Sequence, residues 1–265
     1  MDLHFRVQGQ GDPVILMHGL FGSLDNLGLL AKELSKDYQV ISVDLRNHGQ
    51  SPHSPRVSYA LMAEDVLNVM HRLNLPRAIV IGHSMGGKVA MKLAQDWPEQ
   101  VRALVVLDIA PVLYPFRRHD AIFAGLREVA GAPPKSRSEA DSLLALHIDT
   151  PFVRQFLGKS LYRGEDSRYH WRFHVRALSD NYEAIMGWPN PSVYHGPALL
   201  LKGHLSEYVQ LEHKDAIVSQ FPAMKTHIIA NTGHWLHAEK PESVHRHIRQ
   251  FLTTLAHENH EPLML

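Results

Sequence analysis

Short apolar runs recur along the chain: VILM (14–17), VISV (40–43), AIVIG (78–82), LVVL (104–107), ALLL (198–201) and HIIA (227–230). Each is continuous and rich in branched residues, the pattern of a strand covered on both faces of a parallel sheet. Between the first four, apolar positions fall at helical spacing in LGLLAKELSK (27–36), ALMAEDVLNVMHRLN (60–74) and GGKVAMKLAQDW (86–97). Alternation of strand and helix predicts an α/β fold with helices on both faces of the sheet. Ligands of such sheets bind at the carboxyl ends of the strands, which directs attention to the loops that follow the runs.

The alternation stops over residues 111–195. This stretch has no clear strand pattern, and RRHDAIFAGLREV and RYHWRFHVRAL read as helices rich in apolar and aromatic residues. It is too long for a structureless loop and is expected to be a helical cap over the strand ends, with most of its aromatics packing its own small core. The sheet then resumes, and PESVHRHIRQFLTTLA (241–256) closes the chain as a helix. The expected organisation is a core of residues 1–110 and 196–256, a cap at 111–195 and a frayed tail at 257–265. No repeat or low-complexity linker interrupts it.

Composition narrows the function classes. A chain of 265 residues suits one large α/β domain or two small ones. Lys+Arg and Asp+Glu balance at 27 each, with no long basic block to suggest nucleic acid. The absence of cysteine excludes disulfides and thiolate chemistry and favours a reducing compartment. The polar start MDLHFRVQGQ lacks the features of a signal peptide, and no run of about 18 apolar residues predicts a membrane span. The cytoplasm is the expected location. The 20 histidines invite a metal reading, but no His-Glu-x-x-His pattern or carboxylate at ligand spacing accompanies them. No metal is expected.

The chemistry is concentrated in AIVIGHSMGGKVAMKLA, where Gly82-His83-Ser84-Met85-Gly86 lies between a strand and a helix. That is the context of a nucleophile elbow: a serine on a tight turn projects its hydroxyl from the sheet edge, between glycines whose missing Cβ atoms would collide. The Met85 N–H, at a helix N-terminus, points where an oxyanion would form. VILMHGLFGS (14–23) bends across the strand ends, and the N–H of Leu20, or failing that Phe21, is the expected second donor. His18 reads as a structural residue of this loop. His234 follows the last strand in NTGHWLHAEKPESV (231–244) and is the expected base, ahead of His237.

These segments together resemble the α/β-hydrolases. His18-Gly19, Asp44-x-Arg46-x-x-Gly49-x-Ser51, Gly82-His83-Ser84-Met85-Gly86-Gly87 and Gly233-His234 match that family's pattern in order. HGLFGSLDNLG, DLRNHGQS, GHSMGGKVAM, LDIAPV and GHWLHAEKP are more closely similar to the small bacterial YbfF-type esterases, relatives of the mitochondrial abhydrolase-domain esterases. The similarity runs through the sheet-forming part and is weakest between about 125 and 195. It implies an eight-stranded, mostly parallel sheet with the cap inserted after the sixth strand. It also implies hydrolysis of carboxylic esters or acyl thioesters, acyl-CoA among them, without a cofactor.

One position departs from the family. Its acid usually follows the strand that here is 198–201, where this chain has Ser206. Four carboxylates could replace it. In family topology Asp44 lies across the sheet, where its expected work is to hold a turn with Arg46; Asp215 sits inside a helical pattern. Glu207 is adjacent to the usual slot. Asp108 closes ALVVLDIAP, on a strand that family topology places between those of Ser84 and residue 201. Asp108 is therefore the expected acid and Glu207 the second choice. Expected substrate contacts are Phe21, Tyr114, Phe116, Trp171 and Trp235, with Arg117, Arg118 and Arg172 as a basic rim. A carbon–carbon bond hydrolase, a cofactor-free perhydrolase or a non-catalytic binding homologue are the alternatives, the last favoured by the missing acid at 206.

Overall fold

A computed structural model describes residues 1–189 and 192–258. The chain runs through β1 (Phe5–Gln8), β2 (Pro13–Met17), α1 (Gly28–Leu34), β3 (Gln39–Val43), α2 (Tyr59–Arg72), β4 (Ala78–His83), α3 (Met85–Asp96) and β5 (Val101–Leu107). A long insertion follows: α4 (Asp120–Gly131), α5 (Arg137–Ala145), α6 (Pro151–Gly158), β6 (Leu161–Arg163), β7 (Tyr169–Trp171), α7 (Val175–Asp180) and α8 (Tyr182–Met186). The main sheet then resumes with β8 (Ala198–Gly203), α9 (Lys214–Gln220), β9 (Met224–Ile229), α10 (Leu236–Glu239) and α11 (Pro241–Glu258). Of the tail expected at 257–265, residues 257 and 258 complete α11, and 259–265 lie outside the described residues.

The main sheet has the order β1-β3-β2-β4-β5-β8-β9. Every neighbouring pair is parallel except β1 with β3, whose antiparallel register sets Phe5 opposite Val43. Two expectations need correction. Among the described residues the sheet has seven strands, not eight. The insertion follows the fifth strand, β5, rather than the sixth. It also contains a hairpin: RYHWRFHVRAL is not one helix, because Tyr169–Trp171 pairs antiparallel with Leu161–Arg163. Strands of three residues are too short to show a period, and their Tyr, His and Trp suit either reading.

The alternation of side chains splits the sheet's apolar residues between two cores. Ile15, Met17, Val80, Leu104, Val106 and Leu200 face α2 and α3, while Val14, Leu16, Ile81, Val105, Leu107 and Leu201 face α1 and α11. β4 is buried throughout. A central strand covered on both faces holds a rigid end, and Ser84 begins where β4 ends. The insertion is fastened to this core by side chains reaching across: Ser160 Oγ donates to the Phe21 carbonyl at 3.1 Å and the Tyr59 hydroxyl to the Ile185 carbonyl at 2.6 Å. No helix among the described residues is long and apolar enough to cross a membrane.

Candidate active site

Ser84 lies between β4 and α3 with φ 52° and ψ −121°, a conformation that L-residues rarely adopt. The turn is closed by helix bonds from Gly87 and Lys88 N–H to the Ser84 carbonyl, at 2.8 and 3.1 Å. The glycines around it are there because backbone passes too close for a side chain. A Cβ on Gly82 would lie 2.0 Å from the Gly86 carbonyl oxygen, and one on Gly86 would lie 2.4 Å from that of Met17.

Three side chains from distant parts of the chain meet in a line at this edge. The Ser84 hydroxyl donates to His234 Nε2 at 2.9 Å, and His234 Nδ1 donates to Asp108 Oδ2 at 2.7 Å. The carboxylate decides the tautomer: Nδ1 must carry the proton that faces Asp108, which leaves Nε2 free to accept. Asp108 is fully buried and has φ 56°, a left-handed conformation that aspartate tolerates better than most residues. Its N–H donates to the Leu201 carbonyl at 2.8 Å, so β8 holds the turn.

Burying a carboxylate requires donors. Gly203 N–H donates to Asp108 Oδ1 at 2.9 Å, and the Ser206 hydroxyl donates to Oδ2, the oxygen that also faces His234. Ser206 thus stands beside the carboxylate as a donor where the family's usual acid would be. The feature that favoured a non-catalytic homologue is thereby removed, since a carboxylate does face His234. Glu207 does not: its side chain is 76% exposed and pairs with Arg118 at 3.0 Å. Both ring nitrogens of His234 are already engaged by Ser84 and Asp108.

Tyr208, two residues beyond Ser206, stacks on the His234 ring with centroids 3.8 Å apart and planes at 19°. On another side His83 donates from Nε2 to the His234 carbonyl at 2.8 Å and packs against the His237 ring, with centroids 4.2 Å apart. Burial lowers the pKa of His83 well below the usual value and that of His237 to about 3. Both stay neutral at physiological pH and place no like charge against an imidazolium at His234. Sequence alone gives no signal for Tyr208 or His83 as neighbours of His234, because both contacts are made across loops.

The N–H groups of Leu20 and Met85 have no acceptor among the described residues. Phe21, the fallback donor, is committed: its N–H donates to His48 Nε2 at 3.1 Å. His18 is structural in geometry, donating from Nδ1 to the Gly19 carbonyl at 2.8 Å and accepting from Leu45 N–H at 3.0 Å. Asp44 does hold a turn, but not with Arg46. Its carboxylate accepts from Leu24 and Gln50 N–H at 2.7 and 2.9 Å and meets His4 Nδ1 at 2.8 Å. Arg46 pairs with the buried Asp65 at 2.6 Å instead.

The expected substrate contacts divide. Phe21 and Trp235 line a cavity of about 550 Å³ that reaches Ser84 and His234. Tyr114 and Phe116 line a smaller one of about 40 Å³ that also reaches Ser84. Trp171 reaches neither: it is buried within the insertion, stacked on Phe173 at 4.9 Å with its Nε1 donating to the Leu126 carbonyl at 3.0 Å. Of the three arginines of the expected rim, Arg117 pairs with Asp120 at 2.9 Å and Arg118 with Glu207, while Arg172 lies over the Tyr162 ring at 5.1 Å and lines neither cavity. Lys88, unremarked in the sequence, is buried one turn after Ser84, and its ammonium donates to the carbonyls of Val112, Met186 and Gly187 at 2.8, 3.1 and 2.8 Å. Burial brings its pKa down to about 7. No group of three or more His, Asp or Glu able to hold a metal occurs among the described residues.

Residues 12–241 match the alpha/beta hydrolase fold family, and the chain belongs to it. Esterase YbfF of Escherichia coli K12 is 44% identical over 92% of this chain and 94% of its own length. The sn-1-specific diacylglycerol lipase ABHD11 of Mus musculus is 37% identical over 90% of this chain and 80% of its own. A solved structure described as a marine microorganism esterase superposes with a TM-score of 0.91 at 38% identity, covering 94% of this chain and 99% of that one. By these relatives the chain is an esterase- or lipase-type member of the family.

Proposed function

We propose that this protein is a serine hydrolase that cleaves carboxylic esters through an acyl-enzyme on Ser84. The observation that carries the reading is the unbroken line of hydrogen bonds from Ser84 through His234 to Asp108. Ser84 Oγ attacks the ester carbonyl carbon as its proton passes to His234 Nε2. Asp108 takes no proton; it fixes the tautomer and stabilises the imidazolium. The carbonyl oxygen, now an oxyanion, accepts from the Leu20 and Met85 N–H groups. Collapse breaks the bond to the leaving oxygen, which takes the proton from His234. Water then attacks the acyl-enzyme, yields its proton to His234, and the carboxylic acid departs as Ser84 is reprotonated.

No step calls for a cofactor. Acyl thioesters, acyl-CoA among them, pass through the same steps and belong to the proposal as a second substrate class. The insertion at 111–195 is proposed to act as a cap, since His119, Ile122, Phe152 and Phe156 wall the cavities over Ser84. The esterase and lipase names of the relatives support the ester reading. The test is turnover of p-nitrophenyl esters by the wild type and by Ser84→Ala. The variant should lose about 10⁴-fold or more in kcat while keeping its Tm, because only binding and oxyanion effects remain. Near-normal turnover by the folded variant contradicts the reading.

A further inference from the structure

The two cavities at Ser84 are unequal in size and differ in which catalytic groups they touch. Both include Leu20, Ser84, His119 and Tyr208. Only the larger is lined by His234, and only the smaller by Met85. We propose that the substrate is divided accordingly, with the leaving group in the larger cavity and the acyl group in the smaller, so that the preferred substrates join a short acyl chain to a large, apolar alcohol or thiol. The inference rests on the roles proposed above for Ser84 and His234.

Proton delivery fixes the direction. When the tetrahedral intermediate collapses, the leaving oxygen or sulfur must come within hydrogen-bond reach of His234 Nε2. A leaving group therefore departs on the His234 side, into the cavity of about 550 Å³. That size falls in the range of roughly 300–1,000 Å³ that holds drug-sized ligands. Its walls suit an apolar occupant: Leu29, Phe152, Val153, Phe156 and Trp235 line it, and Phe152 packs edge-on to Trp235 at 5.2 Å. The oxyanion occupies the position facing Leu20 and Met85. The remaining substituent of the carbonyl carbon, the acyl chain, is left the smaller space beside Met85.

The inner wall of that space is built of engaged groups, while Phe116 and Arg118 form its outer edge. Tyr59 is tied to the Ile185 carbonyl at 2.6 Å, Tyr114 to that of Tyr208 at 2.5 Å, and the Lys88 ammonium is saturated by three carbonyls at its floor. Enlarging the cavity on that side would break these bonds and leave buried polar groups unpaired. The space of about 40 Å³ is far smaller than its neighbour of about 550 Å³. A short acyl chain stays within it, whereas an octanoyl chain must run out past the exposed Phe116.

Isomeric esters separate this division from simple hydrophobicity. Octyl acetate and ethyl octanoate have the same atoms and differ only in which side of the carbonyl carries the long chain. The wild type should hydrolyse octyl acetate with kcat/KM at least about tenfold higher, the discrimination that a misfit of one or a few methylenes produces. Ile185→Ala, which opens the small cavity, and Leu29→Trp, which fills the large one from an exposed position, should each lower that ratio. Equal or faster hydrolysis of ethyl octanoate overturns the division, as does a ratio that neither variant moves. Failure to hydrolyse either ester or p-nitrophenyl acetate would instead remove the hydrolase reading on which the division rests.

Discussion

Asp108 accepts from Gly203, Ser206 and His234 without any exposure to solvent. Replacing its carboxylate by an amide leaves a buried site that no longer selects the Nδ1–H tautomer of His234. Asp108→Asn should therefore lower kcat by about 10⁴ with little change in KM. Glu207→Gln should stay near the wild type, because an exposed pair with Arg118 contributes little. Parallel kinetics of the two variants check this, and loss of activity in Glu207→Gln alone would move the acid to the loop after β8. The residues of the line were legible in the sequence because strand ends and glycines mark them. Asp108 could be ranked first only with the order of the strands supplied by resemblance; spacing alone left Glu207 open. The second layer was not legible. Ser206 was visible only as a missing acid, since a serine gives no sign in sequence of the donor role it takes. Lys88 reads as the polar position of an amphipathic helix, and nothing local indicates that the insertion will bury it beneath three carbonyls.

At the scale of elements, long periodic segments carried their own signal. The helices expected at 60–74, 86–97 and 241–256 correspond to α2, α3 and α11, each with an apolar face buried against the sheet. Ser58 caps α2, accepting from Leu61 N–H at 3.2 Å. Edges and short pieces were harder to read. β1 offers only FRVQ, with its central residues exposed, and its place depends on antiparallel pairing with β3. β9 extends over Met224–Ile229, beyond the apolar HIIA, because an edge strand needs only its backbone to pair. The hairpin of β6 and β7 gains its cover from the rest of the insertion: Trp171 of β7 reaches Leu126 in α4 and Tyr169 N–H bonds the Pro134 carbonyl at 2.9 Å. Such tertiary cover has no local signature.

For the whole molecule, several histidines lie in the interior as neutral rings, and this sets how stability should respond to acid. Burial, with a smaller effect from neighbouring histidines, lowers the pKa of His48 and of His237 to about 3 from the ordinary 6.5. Between those values the unfolded chain binds protons that the folded chain refuses, so these groups reduce stability as pH falls from about 6.5 toward 3 and leave it level above 6.5. Thermal unfolding followed from pH 8 to pH 4 should show Tm level at first and then falling, with a shallower fall in His237→Asn. A Tm that rises below pH 6 would contradict the neutral, buried placement of these rings. The central claim, that the assembled molecule makes Ser84 a nucleophile, is tested most directly by reaction with a serine-directed fluorophosphonate followed by peptide mapping. The account predicts one adduct, on the Ser84 peptide, formed rapidly by the wild type and slowed by orders of magnitude in His234→Ala. An enzyme that stays unlabelled, or carries its label on another residue, would contradict it.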